Sequence, residues 1–558
     1  SASTARRAGP PSPPARPHGR NGRAPPRVRA VAASRWARLA AEAGRWEDAV
    51  SGYAAVVDLI GRTVPRGLER RDQEILLRDM GGIGSDAAAC CVRAGQVEHG
   101  VELFEQGRGL LLGRALDTRT DLSALAERDP DLAGRFTALC AELDRSAPAA
   151  GVPGSGADPA PQPPVERRAT AAAFDRLVAE IRELPGLDRF LRPPAVRDLA
   201  PARGHVVIVN VSDFGSHALV LDAGAGVAAV PLPALTPGAV TAEVGAFLAA
   251  VEEIGAGEAR SWTAGQGRMS RTLEWLWDAV AGPVLDHVGI GGPPQDGAPW
   301  PRLWWCLSGL LSFLPVHAAG YHGTAADEIP ATVVDRVACS TAPTLRALAH
   351  ARRGAADAAR TGRDRAVAVA MPRTPGGRSD LPGAEAEAAL IGRRFPGPVD
   401  VLTGPAATHE AVLAALPKAR WAHFACHGHS DLADPSSGHL LLADHQTRPL
   451  TVTDLAGLRM DGAELAFLSA CSTARPGARL ADEAIHLASA FQLAGYRHVI
   501  GTLWPIGDRH AVDVADLVYT AVADGGDVAG AVHAATRRMR DLWTDYPSVW
   551  ASHVHVGA

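Results

Sequence analysis

"WAHFACHGHSD" (residues 421–431) and "ELAFLSACSTA" (residues 464–474) decide how this chain is read. Each is an apolar, strand-like run that stops abruptly on reactive side chains: Cys426, His427 and His429 in the first, Cys471 in the second. Around them, apolar strands alternate with helical patterns: "RAVAVAM", "GAEAEAALIGRRF", "VDVLTG", "THEAVLAAL", "WAHFAC", "AELAFLSAC", "DEAIHLASAFQLAGY" and "HVIGTLW". That order predicts a parallel sheet with helices on both faces over residues 361–558. If both runs are parallel strands of one sheet, His427 and Cys471 leave it on the same rim, where open α/β sheets place their sites. Small neighbours (Gly428, Ala470, Ser472) let a backbone approach closely.

Upstream, "GHVVIVNV" and "SHALVLDAG" predict adjacent strands, followed by helices over 240–254 and 270–288 and a buried strand in "RLWWCLSGLLSFLPVHAAG". Residues 171–360 carry no comparable His-Gly and Ser-Ala-Cys pair, so they are expected to form a non-catalytic companion half. Residues 146–170, rich in Pro, Ala and Gly, are expected to be a linker. From 32 to 145 the apolar spacing is helical. "AEAGRWEDAV" and "VRAGQVEHGV" each place a small-residue turn between two helices, as tetratricopeptide repeats do. Gly44 and Gly95 lie 51 residues apart, against a period of ~34 in that repeat, so an irregular stack and a plain helical bundle both fit. Residues 1–31, full of Arg and Pro with almost no apolar bulk, are expected to be a disordered tail.

Several chemistries are excluded by what is missing. Lys418, the sole lysine, sits in "LPKAR", so no phosphate-cradling P-loop is present. There is no G-x-S-x-G elbow, and His409-Glu410 lacks the second histidine of H-E-x-x-H. Cys426, His427, His429 and His439 cluster in sequence, but alternate strand residues diverge and no second knuckle completes four metal ligands. The net charge of −5 argues against a nucleic-acid binder. Seven scattered cysteines form no disulfide framework, and no run reaches the ~20 apolar residues of a membrane span. A cytoplasmic protein with reduced thiols, needing no metal or other cofactor, is the expectation.

The nucleophile reading fits better. His427 precedes Cys471 by 44 residues, near the ~50 by which caspase histidines precede their cysteine. "HFACHG", "LSACST", "AFQLAGYRHVIGTLWPIGD" and "VWASHVHVG" resemble the CHAT family, caspase-like peptidase domains associated with tetratricopeptide repeats and related to separases. "LPGAEAEAALI" and "LSGLLSFLPVHAAG" extend the similarity over roughly residues 171–558. The resemblance implies a caspase-type fold and a cysteine endopeptidase with Cys471 and His427 as catalytic dyad. The backbone N–H groups of Gly428 and Cys471 would hold the oxyanion, worth about 3–4 kcal/mol per donor in comparable sites. Asp508, in "LWPIGD", falls near the loop where Arg-cleaving relatives carry an acid; the alternative is a helix cap. Cys426 is expected to be buried packing, and Asp482 to start the "DEAIHLASAF" helix. The resemblance further implies a bacterial protein acting in defence or regulated proteolysis. Its substrate would be a protein, such as a gasdermin-like neighbouring gene product, and a regulatory protein would bind the helical repeats. The rival is a catalytically silent caspase-like scaffold for protein–protein interaction.

Overall fold

The computed structural model describes residues 24–120, 122–145, 164–192, 196–199, 201, 203–222, 224, 226–323, 330–358, 364–460 and 462–558. Helices Pro26–Glu42 and Trp46–Thr63 form one hairpin, and Ile83–Arg93 and Val97–Gln106 another. Both turn on glycines in the left-handed region, Gly44 (φ 72°) and Gly95 (φ 74°). In each, the residue after the glycine reaches back to the helix: Arg45 N to Ala40 O at 2.9 Å and Gln96 N to Cys91 O at 2.8 Å. This satisfies carbonyls the helix end leaves open, in a conformation that suits glycine. The hairpins stack through a core of Ala37, Ala40, Tyr53, Val57, Ala87, Cys90 and Leu103.

Two expected boundaries move. The tail expected at 1–31 ends sooner: residues 1–23 lie outside the described residues, and Pro26 opens the first helix. Proline at the first helical position is already set in helical φ, and Ala30, Ala33 and Ala37 give the helix a buried face. Of the linker expected at 146–170, residues 146–163 lie outside the described residues, whereas Pro164–Arg182 is a helix. Its Phe174, Leu177 and Ile181 share a core with Leu132, Phe136 and Cys140 of Pro130–Arg145. The helical layer therefore continues past residue 171, and strands begin only at His205.

The sheet strands are β1 (His205–Asn210), β2 (His217–Asp222), β3 (Gly226–Pro231), β4 (Arg302–Leu307), β5 (Ala338–Thr341), β6 (Arg365–Ala370), β7 (Val399–Thr403) and β8 (Ala419–Ala425). A small three-stranded sheet holds β9 (His427–His429), β10 (His439–Leu441) and β11 (Leu450–Thr451). The main sheet resumes with β12 (Leu465–Ser469), β13 (His498–Thr502) and β14 (His553–Gly557). Its order is β3-β2-β1-β4-β5-β14-β13-β12-β8-β6-β7. β1, β4, β5 and β14 run parallel to one another, and so do β13, β12, β8, β6 and β7. β13 and β14 pair antiparallel. The C-terminal strand thus crosses into the companion half and makes one sheet of two. This is the α/β, caspase-like architecture expected, with an all-helical module in front.

Alternation along the strands divides the core. Val206, Ile208, Leu219 and Leu221 share a cluster with Ala88, Val101 and Phe104 of the helical module. Val207, Val209, Ala218 and Val220 turn to the other face, into the cluster of Phe247, Leu273 and Leu276. In the half after residue 360, Phe424 packs edge-on against Phe491 of helix Leu487–Ala494. On the opposite face, His423 meets Tyr519 of helix Asp508–Ala523 at 2.8 Å and Glu387 of helix Gly383–Arg394 at 3.2 Å. No helix among the described residues is long and apolar enough to cross a membrane.

A layer of buried histidines lies where the half-sheets join. His498 Nδ1 and His555 Nε2 are 3.0 Å apart, and Ser340 Oγ is 2.8 Å from His555 Nδ1. Burial lowers His317, His533 and His553 to about 4 and His498 to about 3, from 6.5. In the unfolded chain these rings take up protons near pH 6.5, whereas the folded protein resists them. Their neutrality therefore favours folding above pH 6.5 and ceases to as pH falls toward 4. Urea-unfolding midpoints measured from pH 8 to pH 4 should fall steeply below pH 6.5. A flat profile over that range would contradict the assignment.

Candidate active site

β8 and β12 pair in parallel with Ala425 opposite Ser469. His427 and Cys471 are each two residues beyond that last rung, so both emerge on one rim. Gly428 fits against the cysteine's backbone: a Cβ there would stand 2.7 Å from Cys471 O and 3.5 Å from Cys471 N. Only glycine permits that approach.

His427 Nε2 donates to the carbonyl of Ser379 at 2.8 Å. With the proton on Nε2, Nδ1 is left as an acceptor, and the ring is oriented by a third group, as an activating base requires. Burial pushes the Cys471 thiol up; the N–H groups of Ile506 and of Cys471 itself, and then Arg378, act the other way. The isolated thiol therefore rests protonated, and the arrangement calls for a base to remove the proton.

The segment after the cysteine is held in an uncommon shape. Ser472 has φ 56°, costly for a residue with a Cβ and typical of functional sites. Ser430 Oγ donates to Ser472 O at 2.9 Å, Thr502 Oγ1 to Ala470 O at 2.6 Å, and Thr502 N to Thr473 Oγ1 at 3.0 Å. These bonds tie the turn to β13 and to the segment after β9.

The other sequence candidates are placed as follows. Cys426 is buried, and burial, with Cys471 nearby, drives its thiol well up. Asp508 opens helix Asp508–Ala523, and its carboxylate accepts the Gly383 N–H at 2.7 Å. It lies two residues past Ile506, whose N–H faces the thiol. Asp482 does not start the expected helix. That helix begins at Leu487, with His486 Nδ1 accepting from Ser489 N at 3.2 Å. Asp482 instead accepts from Gly82 N at 2.9 Å and Gly309 N at 3.0 Å, across the molecule. Among the described residues, no group of three His, Cys, Asp or Glu converges for a metal.

The helical module reaches both segments flanking the rim. Arg78 donates to Ala433 O at 2.8 Å, and Ser436 is bonded by Glu74 and, at 3.3 Å, by Arg70. Beyond Cys471, Gly109 N donates to Asp482 O at 2.9 Å and Leu111 N to Glu483 Oε2 at 2.8 Å. Ser379 and Ile506 were not singled out by sequence, and Ser472 only as a small neighbour of the cysteine. The first two act through backbone atoms, which leave no side-chain signature, and only "SACS" marked the neighbourhood of the third.

The sequence profile of the CHAT domain matches residues 270–558. The chain belongs to the CHAT domain family. Among solved structures, the CHAT chain resembles the Saccharomyces cerevisiae separase–securin complex at 10% identity and TM-score 0.51, covering 92% of this chain and 37% of that one. It thus spans little more than a third of the length of that chain, and the likeness is one of fold. It also matches the Arg-specific cysteine proteinase gingipain R at 12% identity and TM-score 0.33–0.34, covering 50% of this chain and 67–69% of that one, including a complex of Porphyromonas gingivalis pro- and mature domains. No curated protein matches the CHAT chain in sequence.

Proposed function

We propose that this protein is a cysteine endopeptidase acting through Cys471 and His427. The observation that carries the reading is the contact of Gly428 with the Cys471 backbone, beside a histidine whose Nε2–H is fixed on Ser379 O. In the reaction, His427 Nδ1 takes the Cys471 proton and the thiolate attacks a peptide carbonyl. The N–H groups of Gly428 and Cys471 receive the developing oxyanion. The C–N bond breaks as His427 returns the proton to the leaving amine. Water, deprotonated by the same ring, then hydrolyses the thioester and releases the carboxylate product.

Cys471→Ala should abolish cleavage of a peptide substrate while thermal unfolding stays near that of the parent chain. His427→Ala should lower the rate by about a hundred- to ten-thousandfold, and Cys426→Ser should keep most activity. A silent scaffold, the rival consistent with the raised thiol, predicts no labelling of Cys471 by a peptidyl electrophile. Labelling that survives His427→Ala undiminished would count against the dyad.

Asp508 lies beyond the loop facing the thiol, and we assign it to recognition of an Arg side chain before the scissile bond. Asp508→Asn can still accept the Gly383 N–H but loses the charge. Turnover of Arg substrates should then fall on the order of a hundredfold or more, with neutral substrates little changed. Identical peptide-library profiles for both forms would remove Asp508 from the pocket.

The helical module is assigned to control, with a protein partner as its ligand. Its hydrogen bonds to the 430–439 and 472–482 segments hold the rim in one arrangement, which a partner can bias only through differential affinity. Arg78→Ala combined with Asp482→Asn should raise the rate of the partner-free chain by about fivefold or more, since a hydrogen bond contributes about 1 kcal/mol. An unchanged rate, with folding intact, would show that these contacts do not restrain the dyad.

A further inference from the structure

A cavity of about 300 Å³ separates the helical module from the catalytic half. Its walls carry five guanidinium groups, from Arg66, Arg70, Arg114, Arg119 and Arg167, against one carboxylate, Asp454. That carboxylate is occupied: it accepts from Thr451 N at 2.9 Å and Thr451 Oγ1 at 2.7 Å, and faces His409 at 3.6 Å. Three of the arginines are paired outside the lining, Arg66 with Asp117, Arg70 with Glu74 and Arg167 with Glu69.

Arg114 differs. It donates to Gln73 Oε1 at 2.8 Å, to Gly61 O at 3.1 Å and to Val64 O, all neutral oxygens, and no carboxylate among the described residues is in ion-pair contact with it. Burial, and then Arg66, disfavour its charge. Asp117, Glu483 and Asp175 favour its charge only from beyond ion-pair contact, so a half-buried guanidinium held by neutral oxygens gains when an anion enters. Arg66 and Arg114 also line a second cavity of about 670 Å³ on the other side of helix Leu110–Asp117. The smaller cavity is in the size range of small-molecule sites. Planar guanidinium forks lining one space match the oxygens of phosphate and carboxylate groups, and a di- or triphosphate brings the greater negative charge to five of them.

We propose that this interdomain cavity binds a small phosphate-bearing polyanion through its di- or triphosphate group, with Arg114 as its central contact. Ser436, on the segment that follows β9, lines the same cavity. An occupant there touches the helical module and the rim segment together.

Binding is separable from peptidase chemistry, so the full chain carrying Cys471→Ala serves as the titrated protein. Isothermal calorimetry with pyrophosphate and, in a second arm, ATP should give saturable binding near one to one. Arg114→Gln should weaken it about tenfold or more. Arg70→Gln, at another lining arginine, is the second variant should Arg114→Gln misfold, and Arg29→Gln is the surface control. Tighter binding of ATP than of pyrophosphate identifies a nucleotide; equal affinity identifies the diphosphate moiety alone. No saturable heat with either compound up to about 5 mM overturns the proposal. So does equal binding of malonate, or equal affinity in the Arg114, Arg70 and Arg29 variants.

Discussion

Everything chemical in this molecule depends on the parallel pairing of β8 with β12. With Ala425 opposite Ser469, the strands deliver His427 and Cys471 to the rim at equal height. A slip of one residue would turn every side chain of the shifted strand to the wrong face. Contacts on both faces resist such a slip: Phe424 packs on Phe491, and His423 is held by Tyr519 and Glu387. That buried trio spans one strand and two helices, and removing His423, the member the other two share, takes from Tyr519 and Glu387 the contact each makes with it. The histidine four residues before the candidate base is thus a register pin rather than a reagent.

The same logic operates at the seam. Among the described residues β14 is the strand that joins the half-sheets, pairing with β13 over five residues and with β5 at Val556 and Thr341. Its alternate positions His553 and His555 are buried histidines, which hydrogen-bond without requiring charge. His555 bridges His498 and Ser340, so burial is met by neutral rings at the cost of proton affinity. The half that carries His427 and Cys471 gains a covered edge, and the half before it gains a partner strand, from β14.

Sequence made the catalytic half legible because strand–helix alternation and abrupt reactive ends are strong local signals. The glycine turns at Gly44 and Gly95 were equally readable, since left-handed backbone favours glycine. What escaped was non-local. Nothing local announces that Ser379 lends its carbonyl to His427, or that Asp482 accepts from Gly82, 400 residues away. Composition also misled at both ends of the helical layer. Proline and alanine mark disorder in bulk, yet they suit a helix start and a packed face at Pro26–Glu42 and Pro164–Arg182.

The placement of the helical module follows from its size. Its hairpins alone bury a narrow core of alanines and a few large side chains, too little to stand far apart from a partner surface. The sheet supplies that surface through Val206, Ile208 and Leu219 on one cluster, while Val56, Ile60 and Leu77 join the main core. Apolar burial fixes the module as a body; the contacts to the rim segments are of another kind, a handful of hydrogen bonds at Ala433, Ser436, Asp482 and Glu483. Inverting a strongly biased two-state equilibrium takes about 5.5 kcal/mol of differential affinity, and each such bond contributes about 1 kcal/mol. The proposed control would need a ligand to rearrange only these few bonds, with no need to detach the module from its apolar seat. The strong interaction sets where the module sits, and the weak ones are the contacts that such control would act on.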